Sequence, residues 1–256
     1  MSGLDIRQFG ALNDNYIYLL HCVETGETAV VDPGDAKPVL DTLEEFGWTL
    51  THILNTHHHN DHTGGNIDLK RATGCKVVGA RTDAGRIPGI DVSVGEGEVV
   101  MIGKHMGRVI EVAGHTRGHI AFWFEESDAL FSGDTLFSLG CGRLFEGTPA
   151  DMWKSLQKIR NLPDETQVYC AHEYTNSNAD FALSIDSENG VLQSRADEIL
   201  KLREAGKPTV PSLLGAEKKA NPFLRVDDPA FQAAVGMADA NPVDVFAEVR
   251  HRKDVF

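Results

Sequence analysis

Apolar residues fall into short runs over the first two-thirds of the chain and recur at helical spacing over the last third. Short runs rich in apolar and β-branched residues, bounded by Gly, Pro, Asn or Asp, predict strands. We therefore predict strands at residues 6–11, 16–22, 27–32, 51–55, 76–80, 108–112, 120–124, 130–132 and 167–170.

Helical periodicity separates several of these strands. Residues 37–46, 63–73 and 150–162 are predicted helices, whereas the glycine-rich stretch 83–98 predicts a loop. After residue 174 the strand signals stop, and helices are predicted at 180–187, 191–205, 229–237 and from Asn241-Pro242 onward. The pattern predicts an α/β domain at residues 1–173 and an α-helical domain at 174–256.

The segment from Thr56 to His62 reads T-H-H-H-N-D-H and contains the ligand pattern H-x-H-x-D-H, which places four candidate metal ligands within six residues. His57 and His59 alternate, so they point the same way in an extended segment. Asp61 and His62 follow and can reach a second position. Because one tetrahedral zinc ion takes three or four ligands, two pairs of ligands suggest two neighbouring ions.

Four candidate ligands, His57, His115, Asp134 and His172, each stand just past a predicted strand. Strand ends at one sheet edge can converge, which gives His57, His59 and His115 for one ion and Asp61, His62 and His172 for the other. Asp134 has two carboxylate oxygens and can bridge them. These nitrogen and oxygen donors suit zinc, iron or manganese, and we expect two divalent ions, zinc first. Such a pair can hold a hydroxide that attacks an ester, amide, thioester or phosphodiester, with Asp61 and Asp134 in catalytic roles and no acyl-enzyme.

Simpler interpretations exist for several of these residues. A histidine-rich surface tract would not need the interleaved Asp61, although that residue could be a plain helix N-cap. His58 lies between two ligands and should point away from them. His119 follows His115 by four residues, and we favour a supporting role over direct ligation.

The composition is typical of a soluble globular protein. The 256 residues are 41% hydrophobic and 24% charged, with a formal net charge of −14. We expect no nucleic-acid partner, because such partners favour a basic excess, and no membrane span or secretory signal. The four cysteines are widely separated, which fits a reducing compartment, so we expect a cytoplasmic protein and, with no partner signal, a monomer.

The motif series T-H-H-H-N-D-H, G-H-T-R-G-H, S-G-D-T and A-H-E-Y resembles that of the metallo-β-lactamase superfamily. Within it, the chain resembles the glyoxalase II (hydroxyacylglutathione hydrolase) family. The likeness extends to Cys141–Thr148, to the run N-P-F-L-R at 221–225 and to the tail R-H-R-K at 250–253. It implies a four-layer αββα sandwich with a C-terminal α-helical domain that closes the active site.

The resemblance also implies hydrolysis of S-D-lactoylglutathione to D-lactate and glutathione, the second step of methylglyoxal detoxification. It implies that glutathione is bound by Arg143, Phe145, Tyr174, Arg250 and Lys253. Two positions depart from the family's lysine and tyrosine form: Arg143 keeps the charge with another geometry, and Phe145 lacks a hydroxyl. From spacing alone, the cations at 250–253 could equally complement a helix C-terminus.

Two alternatives stay open at this point. One is another hydrolase or a persulfide dioxygenase on the same scaffold, and the other is a non-enzymatic metal-binding or redox scaffold. A β-lactamase of the commonest type would carry cysteine where Asp134 stands.

Overall fold

The computed structural model describes residues 3–256, which pack as two compact units. The first unit runs up to Glu111 and includes Arg117–Gly133, and the second comprises Val112–Thr116 and Asp134–Phe256. The predicted boundary at 173/174 follows a different criterion, the change from mixed to helical pattern, and it stays a prediction.

A six-stranded mixed sheet forms the first half of the first unit. Its strands follow chain order, antiparallel over the first three and parallel from the third onward. Apolar side chains of the sheet, such as Ile17 and Val30, pack against Val39 and Leu43 of the first helix. The elements are β1 (Asp5–Ala11), β2 (Asn15–His21), β3 (Glu27–Val31), α1 (Ala36–Phe46), β4 (Thr49–Leu54), α2 (Asn60–Thr63), α3 (Asn66–Thr73), β5 (Lys76–Ala80) and β6 (Ile90–Val94).

A second, antiparallel sheet in the same unit has the order β10-β9-β8-β7. Its strands are β7 (Val99–Ile102), β8 (His105–Glu111), β9 (Ile120–Phe124) and β10 (Ala129–Gly133). The Tyr18 ring of β2 meets the Phe131 ring of β10 edge-on, with centroids 5.4 Å apart, so apolar side chains of the two sheets pack face to face. This pairing gives the first unit its sandwich core.

The second unit is mainly helical. Its elements are β11 (Leu136–Phe137), β12 (Gly140–Cys141), α4 (Pro149–Arg160), β13 (Gln167–Cys170), α5 (Thr175–Ile185), α6 (Gly190–Glu204), β14 (Ser212–Leu213), α7 (Leu214–Ala220), α8 (Pro229–Ala234) and α9 (Pro242–Val255). Asn241 caps α9 through its side chain, with Pro242 in the first turn, which confirms the predicted helix start. Leu139, Ala182 and Leu192 belong to one apolar core cluster.

Three details of the predicted pattern are wrong. Strand β6 lies inside the stretch predicted as a loop, and the two-residue strand β14 follows the point where strand signals stop. The predicted helix 63–73 is divided at Gly64-Gly65, because the Gly65 N–H donates to the Pro33 carbonyl at 2.8 Å. A backbone contact between distant segments therefore overrides the local helical pattern.

Among residues 3–256, no helix combines the length and the apolar character that crossing a membrane requires.

The buried strand that precedes the metal-capable motif provides a stability test. Ile53 of β4 is fully buried in the core cluster, whereas Ile67 of α3 is 45% exposed. We expect Ile53→Ala to lower the free energy of unfolding by about 2–5 kcal/mol, because the truncation leaves a cavity. Ile67→Ala is the matched control and should change it by less than about 0.5 kcal/mol. Equal losses in denaturant melts of the two variants would contradict this account of the core.

Candidate metal centre and substrate-binding residues

The histidine-rich segment leaves the carboxyl end of β4 and runs into α2. His57 Nε2 lies 3.0 Å from His59 Nδ1, and Asp61 Oδ2 lies 3.4 Å from His62 Nε2. His57 and His62 are fully buried, while the Asp61 side chain is partly exposed. The segment thus forms two adjacent donor pairs, the arrangement expected from the sequence pattern.

A buried carboxylate that the sequence did not point to, that of Asp32, organises this segment. Its Oδ1 accepts from the Thr56 N–H at 2.8 Å, and its Oδ2 accepts from the Thr56 hydroxyl at 2.6 Å. His62 Nδ1 lies 3.0 Å from the same Oδ2. Because the carboxylate can only accept, Nδ1 donates, and the Nε2 lone pair of His62 is left available as a metal ligand.

Asp32 also falls in a group with His57 and His62 whose donor atoms lie close enough to hold an ion. Both its oxygens already accept hydrogen bonds from Thr56, so we assign it to positioning. The only sequence signal was the turn Asp32-Pro33-Gly34 after a strand.

Neighbouring side chains contact the rings of His57, His58 and His119. His57 Nδ1 lies 3.1 Å from the Thr56 hydroxyl oxygen, and the His119 ring stacks on the His57 ring with centroids 4.6 Å apart. His58 turns to Asp83, with 3.0 Å between Nδ1 and Oδ2. These contacts match the supporting roles expected for His58 and His119.

Asp61 is held through its backbone as well as its side chain. The Asn15 amide donates to the Asp61 carbonyl and to its Oδ2, both at 3.2 Å. An added Cβ at Gly34 would overlap the Asp61 carbonyl oxygen, so glycine is required for this close approach.

In the second unit, Asp134 stands between two imidazoles. Its Oδ2 lies 3.4 Å from His115 Nε2, and its Oδ1 lies 3.4 Å from His172 Nε2. All three side chains are more than nine-tenths buried. Each carboxylate oxygen therefore faces a different histidine, as in a carboxylate shared by two ions.

The His115 ring is oriented by a main-chain carbonyl. His115 Nδ1 donates to the Arg143 carbonyl at 2.8 Å, which leaves Nε2 as the ligand atom. An added Cβ at Gly142 would overlap the Asp134 carbonyl oxygen, so the Cys141–Arg143 segment lies directly against the candidate ligands Asp134 and His115.

Three of the predicted substrate-binding residues expose their side chains beside this segment. The Phe145 ring is 62% exposed and lies 5.1 Å from the His115 ring, while Arg143 is exposed. The Tyr174 ring is 39% exposed and stacks on the His172 ring. The resemblance predicted these three positions, and their contact with substrate stays a prediction.

Arg250 and Lys253 of α9 differ in their surroundings. Arg250 is buried, donates to the Cys141 carbonyl at 3.0 Å and pairs with Asp254 at 2.8 Å. These contacts tie Arg250 to the Cys141–Arg143 segment, and its predicted contact with substrate stays a prediction. The Lys253 ammonium donates to the Ser177 carbonyl at 2.7 Å and is half-buried.

The environment of Lys253 destabilises its charged form. Burial, followed by the positive charges of Arg250 and Arg143, lowers the pKa of Lys253 to about 8, while Asp180 acts in the opposite direction. Arg250 is paired with Asp254, which leaves Lys253 and Arg143 as the cations of this group that could meet an anionic ligand.

The donor chemistry of both units fits divalent metal ions. Neutral imidazole and carboxylate are the ligands that zinc, iron and manganese accept, and hydrogen bonds to His62 and His115 leave Nε2 available as a donor. The evidence for metal binding is that, in each unit, a hydrogen bond orients a histidine ring so that its Nε2 atom can act as a ligand.

Comparison with known proteins identifies two regions. Residues 12–172 match the model of the metallo-β-lactamase superfamily, and residues 173–256 match that of the hydroxyacylglutathione hydrolase C-terminus. The hydroxyacylglutathione hydrolase of Rhodospirillum rubrum is 59% identical over 256 residues and covers all of both chains.

Solved structures confirm the predicted fold. BLEG-1, a B3 metallo-β-lactamase, superposes with a TM-score of 0.66 at 22% identity and covers 86% of this chain and 99% of its own. TTHA1623 in a di-iron-bound form gives a TM-score of 0.62 at 26% identity, with 86% and 99% coverage. The metallo-β-lactamase fold, with two sheets, helices and a C-terminal helical region, is therefore confirmed.

The Asp32 network generates a prediction about metal affinity. Asp32→Asn should weaken metal binding about 10–100-fold, because it replaces an acceptor of the Thr56 and His62 hydrogen bonds by an amide. Competition with a coloured chelator measures the affinity. Asp83→Asn is the control, since it removes the same charge beside His58 and should leave metal affinity within about twofold of the parent. Equal weakening in both variants would refute the positioning role of Asp32.

Proposed function

This chain belongs to the hydroxyacylglutathione hydrolase family of the metallo-β-lactamase superfamily, and from that premise we propose that it hydrolyses S-D-lactoylglutathione to D-lactate and glutathione. It is a metal-dependent thioester hydrolase. Membership rests on the two family matches and on full-length identity of 59% to a relative of that name. Related 2-hydroxyacyl glutathione thioesters are included in the proposed substrate range.

The proposed centre takes two divalent ions, with zinc first and iron or manganese as alternatives. Its proposed ligands are His57, His59, Asp61, His62, His115, Asp134 and His172. The observation that carries this proposal is the placement of Asp134, whose two oxygens face two different histidines. The di-iron form of TTHA1623 supports a two-ion stoichiometry by analogy.

When bound, the two ions would supply a hydroxide nucleophile at neutral pH and polarise the thioester carbonyl. The protein supplies no competing thiol nucleophile near this chemistry, since burial raises the pKa of Cys141 to about 11 and that of Cys170 to about 12. The departing glutathione thiol has a pKa of about 8.5, so the thiolate needs little help from a general acid.

Substrate binding is assigned to the exposed side chains of the second unit. Glutathione carries two carboxylates, and the cations Arg143 and Lys253 offer complementary charge. The Phe145 and Tyr174 rings offer apolar surface beside two proposed ligands, His115 and His172. Arg250 would act indirectly, through the Cys141 carbonyl that it binds.

We also propose a cytoplasmic, monomeric protein without a nucleic-acid or membrane partner. Four cysteines without disulfide partners support a reducing compartment, and the formal net charge of −14 argues against nucleic acid.

The direct test is hydrolysis of S-D-lactoylglutathione by the metal-loaded protein and by its Asp134→Ala variant. The variant should bind less metal and lose at least about 10²-fold in kcat, because one carboxylate is predicted to serve both ions. Metal analysis and loss of thioester absorbance measure the two effects. Full activity with two ions retained would overturn the role of Asp134. If the parent protein with its full metal content leaves this thioester intact, the proposed substrate is wrong.

The lowered pKa of Lys253 predicts a pH dependence of substrate affinity. The ammonium form binds a carboxylate, so raising the pH through about 8 removes the binding charge. We expect KM to rise by up to about tenfold between pH 7 and pH 9, with kcat little changed. Lys253→Arg keeps the charge over this range and should flatten the profile. Superimposable KM profiles for the parent and Lys253→Arg would contradict this assignment.

A further inference from the structure

A second group of metal-capable side chains lies in the first unit, outside the proposed catalytic ligands. It comprises Cys22, Glu24 and His105, whose donor atoms all lie within 4.8 Å of one another. Cys22 Sγ is 3.5 Å from Glu24 Oε2, and His105 Nε2 is 4.0 Å from the same oxygen. Cys22 and His105 are buried, whereas the Glu24 side chain is about one-third exposed.

His105 provides an independent sign that this group binds a ligand. His105 is only 4% exposed, yet neither of its ring nitrogens has a hydrogen-bond partner among residues 3–256. Burying an imidazole without partners costs free energy, because both nitrogens lose hydrogen bonds to water. A cation held between His105 Nε2 and its two neighbours would recover part of that loss.

We propose that Cys22, Glu24 and His105 form a binding site for a single Zn²⁺ ion, separate from the hydrolytic centre. Thiolate, imidazole and carboxylate are the three ligand types that zinc prefers. Ligand atoms around a tetrahedral zinc ion lie about 3.3–3.8 Å apart, so side-chain movements of roughly 1 Å close the site. Water at the exposed Glu24 side completes four-fold coordination, and the Cys22 thiol loses its proton to solvent on binding.

The backbone places this site between the two sheets of the sandwich. Cys22 and Glu24 lie in the turn between β2 and β3 of the first sheet, and His105 begins β8 of the second. The Gly103 N–H donates to Glu27 Oε2 at 3.1 Å, and an added Cβ at Gly103 would collide with Cys22 Sγ. The ion would therefore crosslink two turns that already touch.

The register of β4 separates this site from the histidine-rich segment. Glu27 pairs with Thr49 at the start of β4, whereas His57 follows the end of β4 at Leu54. Five residue steps along a strand span roughly 15–20 Å. A metal at Cys22 therefore stabilises the sandwich without contacting the substrate.

Titration of the metal-stripped full-length chain with Co²⁺ tests the proposal. Cobalt bound to a thiolate gives a near-ultraviolet charge-transfer band, and the proposed catalytic ligands include no thiolate. The parent should show this band and bind one equivalent of Co²⁺ more than Cys22→Ser, in which the band is lost. Cys75→Ser is the matched control, another buried cysteine of the same unit, and it should keep both.

Two further measurements guard against a variant that fails to fold. His105→Gln keeps the thiol and should weaken Co²⁺ binding at this band by about tenfold or more. Zn²⁺-loaded Cys22→Ser should hydrolyse thioester at the parental rate but melt at a lower temperature than the Zn²⁺-loaded parent. A parent chain without the band, a band that survives Cys22→Ser, or an affinity unchanged by His105→Gln would each overturn the site.

Discussion

The buried carboxylate of Asp32 is the interaction on which the metal-binding segment of the first unit depends. It accepts two hydrogen bonds from Thr56 and one from His62, and it is 3% exposed. Hydrogen bonds to a charged acceptor contribute about 1.5–3 kcal/mol each, and each donor would be left unsatisfied without it. Asp32 therefore holds the backbone just after β4 and also sets the tautomer and the ring orientation of His62. Close packing of the Gly34 backbone against the Asp61 carbonyl also restricts the position of this segment.

The local charge around Lys253 differs in sign from the net charge of the protein. A chain of net charge −14 would repel an anionic thioester at long range, but screening limits such interactions to about 8 Å at physiological ionic strength. Burial first, and then the positive charges of Arg250 and Arg143, lower the pKa of Lys253. A bound carboxylate would relieve the repulsion and raise that pKa again. Part of the affinity for glutathione would come from reducing the repulsion among these cations.

The sequence predicts candidate ligands because metal chemistry restricts residue types and because strand ends mark where those residues stand. His57, His115, Asp134 and His172 do follow the observed strands β4, β8, β10 and β13. The sequence does not indicate Asp32, since Asp-Pro-Gly is an ordinary turn and its partner Thr56 lies 24 residues away. Strand β6 was missed for a similar reason: Asp91 interrupts its apolar pattern, yet its carboxylate accepts from the Val77 N–H of β5. Contacts between distant segments decided both cases.

In the second unit, one short backbone segment connects proposed substrate-binding residues to a proposed metal ligand. Arg250 binds the carbonyl of Cys141, and two residues later the carbonyl of Arg143 accepts from His115 Nδ1. The exposed Arg143 side chain is assigned to substrate, while its main chain orients a ligand. A change of side chain at position 143 can therefore alter charge and affinity without disturbing His115. A change at Arg250 displaces the segment itself and reaches the ligand. Arg250 is held by the Cys141 carbonyl, by Asp254 and by the face of the Phe223 ring, so we expect its substitution to perturb the segment more than substitution of the exposed Arg143.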